Sequence, residues 1–242
     1  WKFTQDGPQE DFKEVRANGV EVGSGKKGGV AILMQAARNY RVWILFVSYA
    51  ACFGIEIFIH NVAAMYYVDH FNMGLKEAGL TAGIFGLLAL FARALGGIIS
   101  DKVAVSKGLD GRTKILFILI LCEGLFLMLF SQMNVISLAI ISMTVFALFT
   151  HMACGATYAL VPFIDRNALG GVAGIIGAGG NVGAVAAGFL LKGLLDVQTC
   201  LMILGGLVTV AAFSVILIRF SVEHKAKEQQ LFEQAILERN SV

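Results

Sequence analysis

Six long apolar stretches dictate what this chain can become. They run approximately Val42–Val68, Leu80–Ser100, Ile115–Phe130, Val135–Leu160, Ala168–Leu191 and Cys200–Ile218. A hydrocarbon core of ~30 Å takes about twenty residues of helix to cross. In lipid every backbone N–H and C=O must find a partner within the protein, so helix is the expected form where runs are long and lack period-2 alternation. Ile115–Phe130 is the shortest and contains Glu123. Composition agrees: 57% of residues are hydrophobic and 15% charged, against about 25% charged in soluble domains. The 28 glycines and 2 prolines suit close helix packing in a bilayer. An all-α membrane protein of six transmembrane helices is expected.

The net charge of +2 argues against nucleic acid as a partner. Cys52, Cys122, Cys154 and Cys200 lie inside apolar runs without zinc-site spacing, so they read as buried small side chains. No metal and no cofactor are expected.

The distribution of cations sets the orientation. Seven lysines and arginines lie in residues 1–41, four in Asp101–Lys114, one at Arg166 and four from Arg219 onward. Lys76 and Lys192 fall in the opposite loops, and Arg93 within a span. The positive-inside rule then puts both ends in the cytoplasm. Residues 1–41, with the glycine-rich Gly23–Gly29, read as a flexible cytoplasmic linker, 42–218 as the membrane bundle, and 219–242 as a cytoplasmic tail. The tail reads as a solvated helix with Leu231, Phe232 and Ile236 on one side. The chain begins at Trp1 with a polar head and no signal peptide, so a fragment or a processed product is expected.

Few polar side chains fall inside the spans. Arg93 lies about 20 Å down its helix from Leu80 at 1.5 Å per residue, where a guanidinium costs at least ~2.5–3.5 kcal/mol unless it faces a polar cavity or an acid. Its planar donors suit a flat oxyanion. Glu56 and His60 are one turn apart and read as a proton-relay pair or as a structural hydrogen bond. Glu123 and His151 read as hydrogen-bonding groups between helices. Tyr49 and Phe53 share a face at the same spacing. Gly170–Gly188 contains the GxxxG pairs Gly170/Gly174 and Gly179/Gly183, with Asn181 near mid-membrane. It reads as a mobile helix lining a substrate path.

In order along the chain, these features resemble the C-terminal half of a major facilitator superfamily transporter. Gly97-Ile-Ile-Ser-Asp101-Lys102 is similar to the superfamily's loop motif, in which charged residues latch neighbouring helix ends. GAGGNVGA (Gly177–Ala184), FARALGG (Phe91–Gly97) and FGIEIFIHNVAAMYYVDHF (Phe53–Phe71) resemble segments of the nitrate/nitrite porter family, most closely its eukaryotic high-affinity members. The resemblance covers roughly Val42 to Ile218. It implies a twelve-helix symporter or antiporter holding nitrate or nitrite between two arginines, one from each half. Arg93 matches the second-half arginine, Tyr49 and Phe53 match aromatics near the anion, and Gly177, Gly180 and Asn181 belong to the signature. The first six-helix half, with its own arginine, is absent from this chain. Proton-coupled uptake of nitrate by alternating access across a plasma membrane is the expected activity, with nitrate/nitrite exchange as the alternative.

Three rival readings compete. A membrane enzyme built on His60, His151 and Glu56 lacks any HxxxH or HExxH spacing. A non-transporting membrane subunit fits a half-length chain. Transport of another small anion would use the same arginine.

Overall fold

The computed structural model describes residues 28–193 and 196–240, the side chains of 232–240 excepted. Among them seven α-helices follow one another: α1 (Gly29–Ala37), α2 (Tyr40–Phe71), α3 (Leu75–Ser131), α4 (Ile136–Leu160), α5 (Leu169–Lys192), α6 (Val197–Ser214) and α7 (Val222–Asn240). Residues 1–27 of the expected linker lie outside the described residues. Its last part carries α1, which packs on α5, with Gln35 donating to Asp165 at 2.7 Å.

Five of these helices are long and apolar enough to cross a membrane, against six expected spans. The difference lies in α3, which joins the expected second and third spans. At 57 residues a straight α3 would be about 85 Å long. It is not straight. Gly108 has φ +56°, outside the helical region, a conformation open to glycine because it has no Cβ. Arg112 donates to Ser100 at 3.4 Å and also to Asp101, residues that would lie more than 16 Å away along an unbroken helix. The chain therefore turns back at Gly108, leaving legs at 75–107 and 109–131. The loop expected over Asp101–Lys114 is corrected to helix on both sides of this one residue. A helix need not stop where its apolar run stops, since solvated Lys102 and Lys107 extend it at little cost.

The other connections are short. Asn39 caps α2 by accepting from the Arg41 N–H at 3.1 Å, and Asn72 ends it in the left-handed conformation. The connection from α2 to α3 is only residues 72–74. Two short 3-10 turns, Val161–Phe163 and Arg166–Ala168, join α4 to α5. Asp196 caps α6, and donation from the Thr199 N–H and hydroxyl holds its carboxyl below the usual range.

Glycines set the crossings. A Cβ on Gly54 of α2 would lie 2.8 Å from the Cα of Gly183 on α5, so these helices meet backbone to backbone. Gly96 and Gly155 do the same between the first leg of α3 and α4, facing the main chain of Met152 and Arg93. Leu87, Leu90, Phe91, Phe189, Val210 and Phe213 point outward and exposed, an apolar exterior suited to lipid.

Candidate functional site

The Gly96/Gly155 crossing holds Arg93 against α4, and α2 brings Glu56 to meet it. Arg93 Nη2 donates to both carboxylate oxygens of Glu56, at 2.6 and 2.7 Å. The Glu56 side chain is 6% exposed and that of Arg93 is 40% exposed. The acid is therefore buried behind an arginine that still reaches the surface of the bundle. Arg93 Nε is buried without a partner, so part of the planar donor fork is uncommitted. The guanidinium also lies over the Phe53 ring, 5.4 Å from its centroid, a favourable cation–π placement.

An aromatic wall continues from there. Tyr49 and Phe53 stack at 5.0 Å, and Tyr158 meets Tyr49 edge-on at 5.0 Å. The glycine-rich helix closes against this wall. A Cβ on Gly180 would overlap the Phe53 ring and come within 3.1 Å of Tyr49, and one on Gly177 would come within 3.3 Å of the Tyr158 hydroxyl. Asn181 sits on the exposed edge of α5, its amide donating to the Gly177 carbonyl at 3.5 Å.

Behind Arg93 the polar contacts continue inward. His151 Nδ1 lies 3.3 Å from Glu56 Oε2, and Cys154 Sγ donates to the same oxygen at 3.7 Å. His60 Nε2 is 3.8 Å from Glu56 Oε1, beyond hydrogen-bond range, and its side chain is 42% exposed. A separate cavity of about 740 Å³ lies between the Gly108 turn and α7, lined by Asp101, Arg112, Phe163 and Lys225 among others, and does not include Arg93.

The sequence profile of the Major Facilitator Superfamily matches residues 44–240. The chain belongs to this superfamily. It is 40% identical over 184 residues to "High affinity nitrate transporter 2.5" of Arabidopsis thaliana, covering 76% of this chain and 36% of that protein. It is 44% identical over 147 residues to "Nitrate transporter 2.1" of Chlamydomonas reinhardtii, covering 60% and 27%. It is 30% identical over 149 residues to "Nitrate/nitrite transporter NrtP" of a Picosynechococcus species, covering 60% and 27%. The chain spans about a third of the length of the first curated relatives it matches. These relatives are named as transporters, not enzymes.

Within this superfamily member, Tyr49, Phe53, Glu56, Arg93, Gly177 and Gly180 form one contiguous group, with Asn181 at its edge. Nothing local in the sequence marks Tyr158, whose position between Tyr49 and Gly177 depends on how α4 lies against two other helices. The interhelical hydrogen bond expected of His151 is present, between Nε2 and the Phe85 carbonyl at 2.9 Å; its second contact, to Glu56, has no local signal in the sequence.

Glu123 was expected to hydrogen-bond between helices. It is fully buried and neither oxygen has a partner; the neighbouring Thr150 hydroxyl donates to the Phe146 carbonyl instead. An unmatched buried polar group costs about 1–3 kcal/mol. Glu123→Met, of similar length, is therefore expected to raise the thermal melting temperature of the purified protein. A lower melting temperature would show that a partner for Glu123 exists.

Proposed function

We propose that this chain is the C-terminal six-helix half of a twelve-helix secondary transporter that carries nitrate by alternating access. In this reading the two legs of α3 cross the membrane separately, 42–218 forms the bundle, 1–41 links it to the first half, and 219–242 is the tail. Both ends lie in the cytoplasm, and the membrane is the plasma membrane. The observation that carries the reading is Arg93: a guanidinium half-open to the bundle surface, under an aromatic wall, with an unpartnered donor. Nitrate is flat and monovalent, and fits the planar N–H donors of the Arg93 guanidinium, which lies over the Phe53 ring. Asn181, Gly177 and Gly180 line the path on α5, the least buried of the five candidate spans. The arginine of the missing half would close the site from the other side. Relatives named as nitrate transporters support the same substrate. The Picosynechococcus relative, named as a nitrate/nitrite transporter, adds nitrite as a second anion.

Charge favours proton coupling over uniport. Arg93 and Glu56 neutralise each other, so an added anion leaves the pair at −1 unless a proton joins it. Inward anion movement also works against ~2.3 kcal/mol per charge per 100 mV. Glu56 is the acid that would take the coupled proton; His60, the partner its spacing suggested, stands 3.8 Å away with its side chain 42% exposed. The test is ¹⁵N-nitrate accumulation by proteoliposomes holding the full-length protein. Accumulation driven by an inward proton gradient is expected. Nitrate movement that ignores the gradient but requires internal nitrite would replace symport by exchange, and no nitrate movement at all would sink the assignment.

A further inference from the structure

The contacts around His151 locate a proton. Nε2 lies 2.9 Å from the Phe85 carbonyl oxygen. A carbonyl oxygen only accepts, so Nε2 carries the hydrogen. In a neutral ring Nδ1 is then a bare lone pair. It faces Glu56 Oε2 at 3.3 Å, and an ionised carboxylate oxygen is likewise an acceptor. Two acceptors confront each other with no donor between them, and Nδ1 has no hydrogen-bond partner. His151 is fully buried and Glu56 is 5% exposed, so bulk water does not relieve the conflict. One added proton turns this repulsion into a charge-assisted hydrogen bond.

The surrounding groups fix the charge balance. Among the described residues, α2 presents Glu56, His60, Tyr49 and Cys52, the first leg of α3 presents Arg93, the second leg presents Glu123, and α4 itself presents Cys154. Without the extra proton the Arg93–Glu56–His151 group sums to zero. With it the sum is +1, the charge that a monovalent anion on Arg93 would cancel. His60 is a poorer partner, since its nearer nitrogen stands 3.8 Å from the carboxylate and its side chain is 42% exposed.

We infer that His151 Nδ1 and Glu56 Oε2 bind the proton that enters with the anion, so that the site loads a proton and a monovalent oxyanion as a pair. This rests on the reading of Arg93 as the anion-binding residue. The proton arrives from water on the side where the anion enters and leaves to water on the other. Only its own N–H or O–H bond is made and broken. With the proton in place Glu56 no longer demands the guanidinium, and Arg93 is released to the anion. By linkage the anion then raises proton affinity as much as the proton raises anion affinity.

The test compares the pH dependence of nitrate KM in proteoliposomes of the full-length protein, with the membrane potential clamped. One proton per anion gives the wild type up to about tenfold tighter nitrate for each unit of lower pH. His151→Gln keeps a donor for the Phe85 carbonyl but cannot take the proton, and is expected to flatten that dependence to about onefold. Glu56→Gln imitates the protonated acid, and is expected to hold nitrate at high pH as the wild type does at low pH. His60→Gln is expected to keep the wild-type slope. A His151→Gln slope equal to the wild type overturns the inference, as does loss of the slope in His60→Gln alone. If His151→Gln does not fold, a Glu56→Gln protein with the wild-type slope overturns it equally. A wild type that moves no nitrate would instead sink the proposed function.

Discussion

Arg93→Lys in the full-length protein is expected to lower nitrate kcat/KM by on the order of a hundredfold, roughly 2.7 kcal/mol of lost stabilisation. The substitution keeps the positive charge, so the loss tests the planar fork. In the structure one nitrogen of that fork serves Glu56, while Nε stays buried and unpartnered. A lysine ammonium is a single point donor. Held by Glu56, it has no second flat edge to offer and no plane to lay over Phe53. The protein should still fold, because the ion pair with Glu56 survives. Steady-state ¹⁵N-nitrate uptake, beside the amount of folded protein, is the measurement. Undiminished kcat/KM in Arg93→Lys would remove Arg93 from the anion site. If folding fails, Arg93→Gln combined with Glu56→Gln is compared with Glu56→Gln alone, so that the Arg93 contact is the one difference.

The second large effect is on stability. Gly54→Ala should destabilise the bundle by about 1–3 kcal/mol, the usual cost of overfilling a packed contact. Its new Cβ would stand 2.8 Å from the Cα and carbonyl carbon of Gly183 and 2.9 Å from the Ala184 nitrogen. All three are main-chain atoms, so relief means moving α2 away from α5. Gly206→Ala is the control: its Cβ meets nothing within 4 Å, and alanine is the better helix former by ~1 kcal/mol. Thermal melting of the two variants should shift in opposite directions. Equal shifts would mean that helix propensity, not the crossing, dominates at Gly54.

How much of this was legible beforehand follows from range. Apolar runs mark the membrane helices because lipid demands them locally. The turn at Gly108 was not legible, since Asp101–Lys114 is polar and polarity alone does not separate a loop from a solvated helix end. At the site, spacing put Tyr49 with Phe53 and Glu56 with His60 on shared faces, a property of one helix. That Glu56 meets Arg93 and His151 depends on which helices cross. Gly96 and Gly155 mark that crossing, yet a small residue says only that something comes close. His60 looked the better partner because it is near in sequence; His151, on another helix, is nearer in space.

The tail helix carries a practical consequence. Lys225 of α7 donates to Asp110 beside the Gly108 turn at 2.6 Å, Glu228 pairs with Arg166 between α4 and α5, and His224 reaches the Phe163 carbonyl at 3.0 Å. These ties reach two separate connections at one end of the bundle. A fluorophore placed on α7 is thus carried by the bundle as a passenger, and energy transfer from it to a dye elsewhere in the full-length protein would read out the bundle's own tilt.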